Sequence, residues 1–240
     1  MDYASLIAAN LIIAVGAWVQ GSVGFGLALI AAPLLAIISP SAVPGPLLAT
    51  TFALIVLTVW RERQAIDVRG IGWVLAGRVP GAAVGALTLA AMNPRALGLT
   101  LGALTLLAVV LTATKLHIER KPLALFVAGT VSGFMGTTSA IGGPAVAILY
   151  QHDEGRTVRA SLAAYFTIGC LMSMTALSLV HRFGVSDLHQ GVLMLPGVAI
   201  GFALSAKAGA FLDKGRTRTA VLVVAGLSGI GAMLRAALLP

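Results

Sequence analysis

Two apolar stretches in this 240-residue chain are too long to cross a bilayer once, and glycine interrupts both. They run from Leu6 to Ile38 and from Leu123 to Tyr150. As straight helices they would span roughly 50 and 42 Å, against a hydrocarbon core of about 30 Å. The interruptions read Gly21-Ser22-Val23-Gly24-Phe25-Gly26 and Gly136-Thr137-Thr138-Ser139-Ala140-Ile141-Gly142-Gly143-Pro144. Each predicts a helix, an irregular turn and a second, short helix that returns the chain to the side it came from. Six other apolar stretches are Leu47 to Trp60, Ile71 to Met92, Ala96 to Thr114, Ser161 to Val180, Gly191 to Ala206 and Thr219 to Leu239. They suit single crossings, the first and fifth of them being short.

Lipid must be the solvent for much of such a chain. Only 10% of its residues are charged, 58% are hydrophobic, and mean hydropathy is +0.98. A soluble domain carries about 25% charged residues. No stretch is polar enough to form a separate soluble domain. The net charge of +8 does not point to nucleic acid, because the basic residues sit between apolar runs. If both broken segments return, Arg61, Arg63, Arg69, Lys115, Arg120, Lys121, Arg156, Arg159, Lys207, Lys214, Arg216 and Arg218 share one face. Arg95, Arg182 and Arg235 fall on the other, and Arg78 lies inside a helix. If both segments cross, the asymmetry vanishes. Positive-inside bias therefore favours return, with both termini outside the cytoplasm of a bacterial inner membrane. Met1-Asp2-Tyr3 lacks a basic n-region, so a cleavable signal is not expected. The lone Cys170 sits among apolar neighbours and reads as packing.

The halves repeat. Gly21-x-x-Gly24 matches Gly133-x-x-Gly136, and Pro80-Gly81-x-x-x-Gly85 matches Pro196-Gly197-x-x-x-Gly201 in the same order. Residues 1–115 and 122–240 then each hold one returning segment and three crossings. Three is odd, so the halves are inverted. The expected fold is an all-α integral membrane protein built from two inverted-topology repeats, a plan common among secondary transporters.

Unwound backbone at membrane depth is tolerated only where it is buried in protein or lines a wet cavity. The two breaks are thus the candidate substrate site. Half-helix N-termini, glycine amides and hydroxyls form a cradle for a small anion. Gln20, Gly21, Ser22, Gly24, Phe25 and Gly26 belong to the first break, and Thr137, Thr138, Ser139, Gly142, Gly143 and Pro144 to the second. Pro144 suits the first turn of a new helix. Arg78 either faces this cavity or snorkels to the interface. Thr50, Thr51, Tyr165 and Thr167 are lesser candidates for the path, and Gly81/Gly85 and Gly197/Gly201 read as helix packing.

Missing chemistry narrows the class. Every acidic residue and every histidine falls in a loop or at a segment end, which disfavours carboxylate proton relays and cation sites. No P-loop, metal cluster or buried Ser–His pair is visible, so neither a cofactor nor a metal is expected and the chain is not read as an enzyme.

The run from Gly21 to Pro33, Ser132-Gly133-Phe134-Met135-Gly136 and Ile141-Gly142-Gly143-Pro144 resemble the sulfite exporter TauE/SafE family over essentially the whole chain. The family's first break often holds a longer glycine cluster than the Gly-Phe-Gly-Leu found here. The resemblance implies export of sulfite, sulfoacetate, another organosulfonate or a related small anion by alternating access. An inside-negative potential favours anion efflux by about 2.3 kcal/mol per charge per 100 mV, so uniport is the expected energetics. The alternative is a membrane enzyme acting on a lipid or isoprenoid phosphate, with Arg78 gripping phosphate and His152 or Asp153 as acid or base. A channel or non-transporting subunit is a third reading. The expected partners are a small organic or inorganic anion and membrane lipid, with a homodimer carried by analogy alone.

Overall fold

Both long apolar runs are broken where glycine interrupts them. A computed structural model of the chain describes residues 2–68, 70–114, 118–151, 153–208 and 214–238, with side chains outside 207–218. The first run divides into α1 (Tyr3–Val23) and α2 (Leu27–Ile38). Gly24 and Gly26 adopt φ of 106° and 129°, a region costly for residues with a Cβ, and this ends α1. The fifth run divides into α6 (Pro122–Ser139) and α7 (Gly143–Tyr150). Here Ala140 supplies the left-handed residue, at φ 62°. The sequence placed the turn but gave no sign that alanine would make it.

The other helices are α3 (Gly45–Glu62), α4 (Ile71–Ala91), α5 (Pro94–Ala113), α8 (Gly155–Leu179), α9 (Val185–Leu193), α10 (Leu195–Ala208) and α11 (Lys214–Ala237). Among the described residues, five helices are long and apolar enough to cross a membrane, and a sixth span results if α9 and α10, bent by 48°, count as one. Their outer faces are greasy: Ile7, Leu11 and Val15 on α1, Val84 and Leu87 on α4, and Leu227 and Leu234 on α11 are all exposed. The interior holds Arg78, Glu62, Ser132, Thr137 and Ser173. Apolar outside and partly polar inside is the arrangement that lipid selects.

Small residues set the helix pairing. α4 lies alongside α6, and a Cβ on Gly81 would sit 2.1 Å from the Thr130 carbonyl oxygen. α10 lies alongside α1 in the same way, with Gly197 against Asn10 and Gly201 against Ala14. Matched Pro–Gly motifs thus make matched close approaches. α5 packs on α11, with Gly98 at Ala236 and Gly102 at Met233, and α3 packs on α8. α2 lies back against α1, where Gly16 meets Leu27.

Charges collect at two ends. Arg182 donates to the Ala90 carbonyl, Arg235 to that of Ala36, and Gly45 abuts Asp187. Arg61, Glu62 and Arg159 meet at the opposite end of α3, and Arg120 pairs with Asp67 and Asp153. Arg69, Lys115, His117, His152 and Asp213, with the side chains of Lys207, Lys214, Arg216 and Arg218, lie outside the described residues.

The close approach at α4 predicts a contrast. Gly81→Ala should lower the melting temperature of the detergent-solubilised protein, by the ~1–3 kcal/mol typical of overpacking. Gly226→Ala, which meets nothing within 4 Å, should leave it unchanged or raise it.

Candidate substrate site

The turn between α1 and α2 and the turn between α6 and α7 face each other. A Cβ on Gly143 would stand 3.1 Å from that of Phe25. Between them lies a cavity of about 40 Å³. At ~10–15 Å³ for each water-sized group, it has room for a very small solute. Gln20, Phe25, Gly26, Gly142, Gly143, Pro144 and Arg78 line it, all named from sequence. Ala28, Leu29, Leu48, Ile55, Phe166 and Cys170 form most of the apolar wall.

Arg78 does not snorkel. It is 2% exposed, and its guanidinium is held by hydroxyls and by the face of the Tyr165 ring, 5.2 Å from its centroid. Nη1 donates to Tyr165 Oη at 2.9 Å and to Ser132 Oγ at 3.1 Å, and Nη2 donates to Ser173 Oγ at 3.2 Å. Tyr165 Oη donates in turn to Ser132 Oγ at 3.0 Å, and Ser132 Oγ donates to the Gly142 carbonyl at 2.7 Å. The cation is therefore wired to the second break. Room for it comes from glycines on two helices. A Cβ on Gly136 would meet Nη2 at 2.9 Å, and one on Gly169 would meet Nε at 2.5 Å.

Among the described residues no carboxylate pairs with Arg78, and its Nε is buried without a partner. Thr51 Oγ1, also buried and unpartnered, lines the same cavity. An unsatisfied buried polar group costs about 1–3 kcal/mol, and more when charged. Two residues of one cavity lining thus carry an unsatisfied donor, and one of them is a cation, which suits the cavity to a hydrogen-bond acceptor that carries negative charge. Tyr165 on Arg78 and Thr51 on the cavity were minor candidates from sequence. Ser132, Ser173 and the cavity face of Cys170 gave no signal, because a serine or cysteine in an apolar helix resembles ordinary packing.

Several predicted residues stand elsewhere. Thr138 Oγ1 donates to the Phe134 carbonyl and Ser139 Oγ to that of Met135, each at 2.7 Å, so both serve their own helix. Thr137 Oγ1 bonds Ser173 Oγ at 2.9 Å, one step from Arg78. Thr50 and Thr167 bond helix carbonyls. At the first break the Leu27 N–H donates to Gln20 Oε1 at 3.0 Å, so one amide of the expected cradle is already occupied.

Gly21, Ser22 and Gly24 belong to a second polar cluster. Arg61 Nη2 donates to the Gly21 carbonyl at 2.7 Å, Arg159 Nη1 approaches that of Ser22 at 3.4 Å, and Gly24 lies against Arg159. Arg159 Nε and Arg61 Nη2 both reach Glu62, at 2.9 and 3.3 Å. The two arginines cover the C-terminal carbonyls of α1, where the helix dipole is negative. Glu62 closes α3 as its position suggested, yet it is buried rather than solvated. Asp153 pairs with Arg120 at a helix end, outside the cavity lining, and His152 lies outside the described residues. Among the described residues no carboxylate or histidine lines the cavity.

In a comparison with known families, the profile of the sulfite exporter TauE/SafE family matches residues 9–232. The chain belongs to the sulfite exporter TauE/SafE family. Neither the curated proteins nor the solved structures yield a match. The match takes in every residue of the cavity lining and both breaks. As a member of a transporter family with several membrane-spanning helices, the chain is a multi-pass membrane protein of the anion-exporting class.

Glu62 offers a structural test away from the cavity. Glu62→Gln removes the charge shared by two arginines, and should destabilise the protein by about 1–3 kcal/mol, the range for bonds to charged groups. A fall in melting temperature in detergent would register it.

Proposed function

We propose that this TauE/SafE member exports a small sulfur-containing anion across the bacterial inner membrane by alternating access, binding it in the cavity between the two breaks. The observation that carries the reading is Arg78, a buried cation that lines the cavity, with no carboxylate partner among the described residues and with its Nε unbonded. Thr51 and the remaining amides at the starts of α2 and α7 add donors, with Pro144 lacking an N–H and the Leu27 N–H already taken by Gln20. Gln20, Phe25, Gly26, Gly142 and Gly143 shape the cavity. Gly21, Ser22, Gly24, Thr137, Thr138 and Ser139 brace the turns.

An inverted repeat underlies this site in our reading. Support comes from the exchanged packing, α4 on α6 against α10 on α1, made through matched Pro–Gly motifs. Return of α2 toward the start of α1 is supported by Leu27 on Gly16 and by Gly45 on Asp187. With Arg61, Arg159 and Arg120 grouped at one end, that end is assigned to the cytoplasm and both termini to the other side. Among the described residues none that lines the cavity is acidic, and in this reading the anion moves as a uniported species driven by membrane potential.

Thermal-shift and isothermal binding measurements on purified protein test the site. Sulfite or methanesulfonate should stabilise the wild type. Arg78→Gln should weaken binding at least tenfold, equivalent to about 1.4 kcal/mol, and Thr51→Val several-fold. Thr138→Val and Ser139→Ala, whose hydroxyls serve their own helix, should bind within about threefold of wild type. Equal losses in all four variants would contradict this assignment. In liposomes, saturable counterflow of the same anion would separate a carrier from a channel.

A further inference from the structure

We infer that the cavity selects singly charged anions, so that sulfite is carried as bisulfite and its proton leaves with it. This rests on the anion-export reading and adds the charge state of what is bound.

The charge count comes first. Among the described residues, Arg78 is the one charged residue lining the cavity. A two-fold repeat would be expected to supply two equivalent cations, and it does not. The Pro80-Gly81 and Pro196-Gly197 match pairs Arg78 with Met194, which is buried and neutral. The cluster of Arg61, Glu62 and Arg159 carries net positive charge, but it stands outside the lining. Its arginines are partly exposed and directed onto the α1 carbonyls and Glu62. A monoanion against Arg78 therefore leaves the buried site neutral. A dianion leaves an uncompensated negative charge among Leu29, Leu48, Ile55 and Phe166, where desolvation is severe. Helix starts soften that penalty only in part, each offering about half an elementary charge within its first turn. The Leu27 amide, already bonded to Gln20, reduces the contribution of α2.

The apolar wall argues the same way. Sulfate and the sulfite dianion would exchange a tightly held water shell for Arg78 Nε, Thr51 Oγ1 and a few amides. A bisulfite ion or a short alkylsulfonate gives up less water and can set its neutral part against the wall. No membrane carboxylate is needed to move a proton, because the proton travels on the substrate. The titratable side chains that face Arg78 are Tyr165 and Cys170 from α8, and α4 and α6 contribute none besides Arg78 itself.

The test uses the full-length protein in detergent and three ligands, with binding measured by calorimetry across the pH range where bisulfite gives way to sulfite. Methanesulfonate stays a monoanion throughout and reports any titration of the protein. Its affinity should be flat with pH, while that of total sulfite should fall about tenfold per pH unit above the bisulfite pKa. Sulfate should bind at least about tenfold more weakly than methanesulfonate. Arg78→Lys, which keeps one charge, should weaken all three ligands and preserve their order. Sulfite affinity that is flat or rises with pH, or sulfate that matches methanesulfonate, would overturn the charge rule and leave the anion site standing. Failure of all three ligands to bind would remove the anion reading itself, and this inference with it.

Discussion

A guanidinium buried without a carboxylate is the constraint around which this protein is arranged. Placing a charge in the interior of a membrane helix bundle is expensive, and among the described residues the protein offsets it with neutral groups, the hydroxyls of Ser132, Tyr165 and Ser173 and the face of the Tyr165 ring. Packing is adjusted to admit the group. Gly136 on α6 and Gly169 on α8 leave the volume it occupies, and Gly133 lets α6 touch the backbone of α4 at Arg78 itself. A structural arginine would ordinarily have an acidic partner. This one lines a cavity with its Nε unbonded, a deficit that a negative solute removes.

The same bonds connect charge to conformation. Arg78, Tyr165 and Ser132 form a chain that ends on the Gly142 carbonyl, at the turn entering α7. The corresponding place in the first half is filled by Gln20, matched to Ser132 through the Gly21 and Gly133 motifs, and Gln20 holds the first amide of α2. Each turn is thus braced by the residue just before its glycine motif, and the anion site sits where the braces meet. Neutralising Arg78 changes the field felt by both turns at once, a physical route by which occupancy can bias a two-state transporter. Beyond the first turn, Glu62 and its two arginines fasten the end of α1 to α3 and α8.

Much of the fold was legible because lipid leaves few options. Run length, glycine position and the order of the Pro–Gly motifs located both broken segments within a few residues, and the matched glycines do make matched close contacts. At the site, the sequence-named residues that line the cavity are Gln20, Phe25, Gly26, Gly142, Gly143, Pro144 and Arg78, most of them singled out for backbone geometry or charge. Hydroxyls were harder to place. Thr137, Thr138 and Ser139 sit beside the second turn in sequence, but on a helix only one face meets the cavity, and a threonine or serine facing away bonds its own i−4 carbonyl. Thr51 comes from a distant segment, and the bonds of Ser132 to Arg78 and Gly142 emerge only through tertiary contact. Cys170 shows the same limit: its neighbours in sequence are apolar, while its neighbour across the cavity is an arginine.

The central claim is that Arg78 and Thr51 complete their bonding with a negative solute between the two turns. An electron cryomicroscopy structure of the protein purified with saturating methanesulfonate tests this most directly. The account predicts ligand density within hydrogen-bond distance of Arg78 Nε and Thr51 Oγ1, bounded by Phe25 and Gly143. An empty cavity with Arg78 paired to a carboxylate, or ligand density at some other place in the fold, would contradict it.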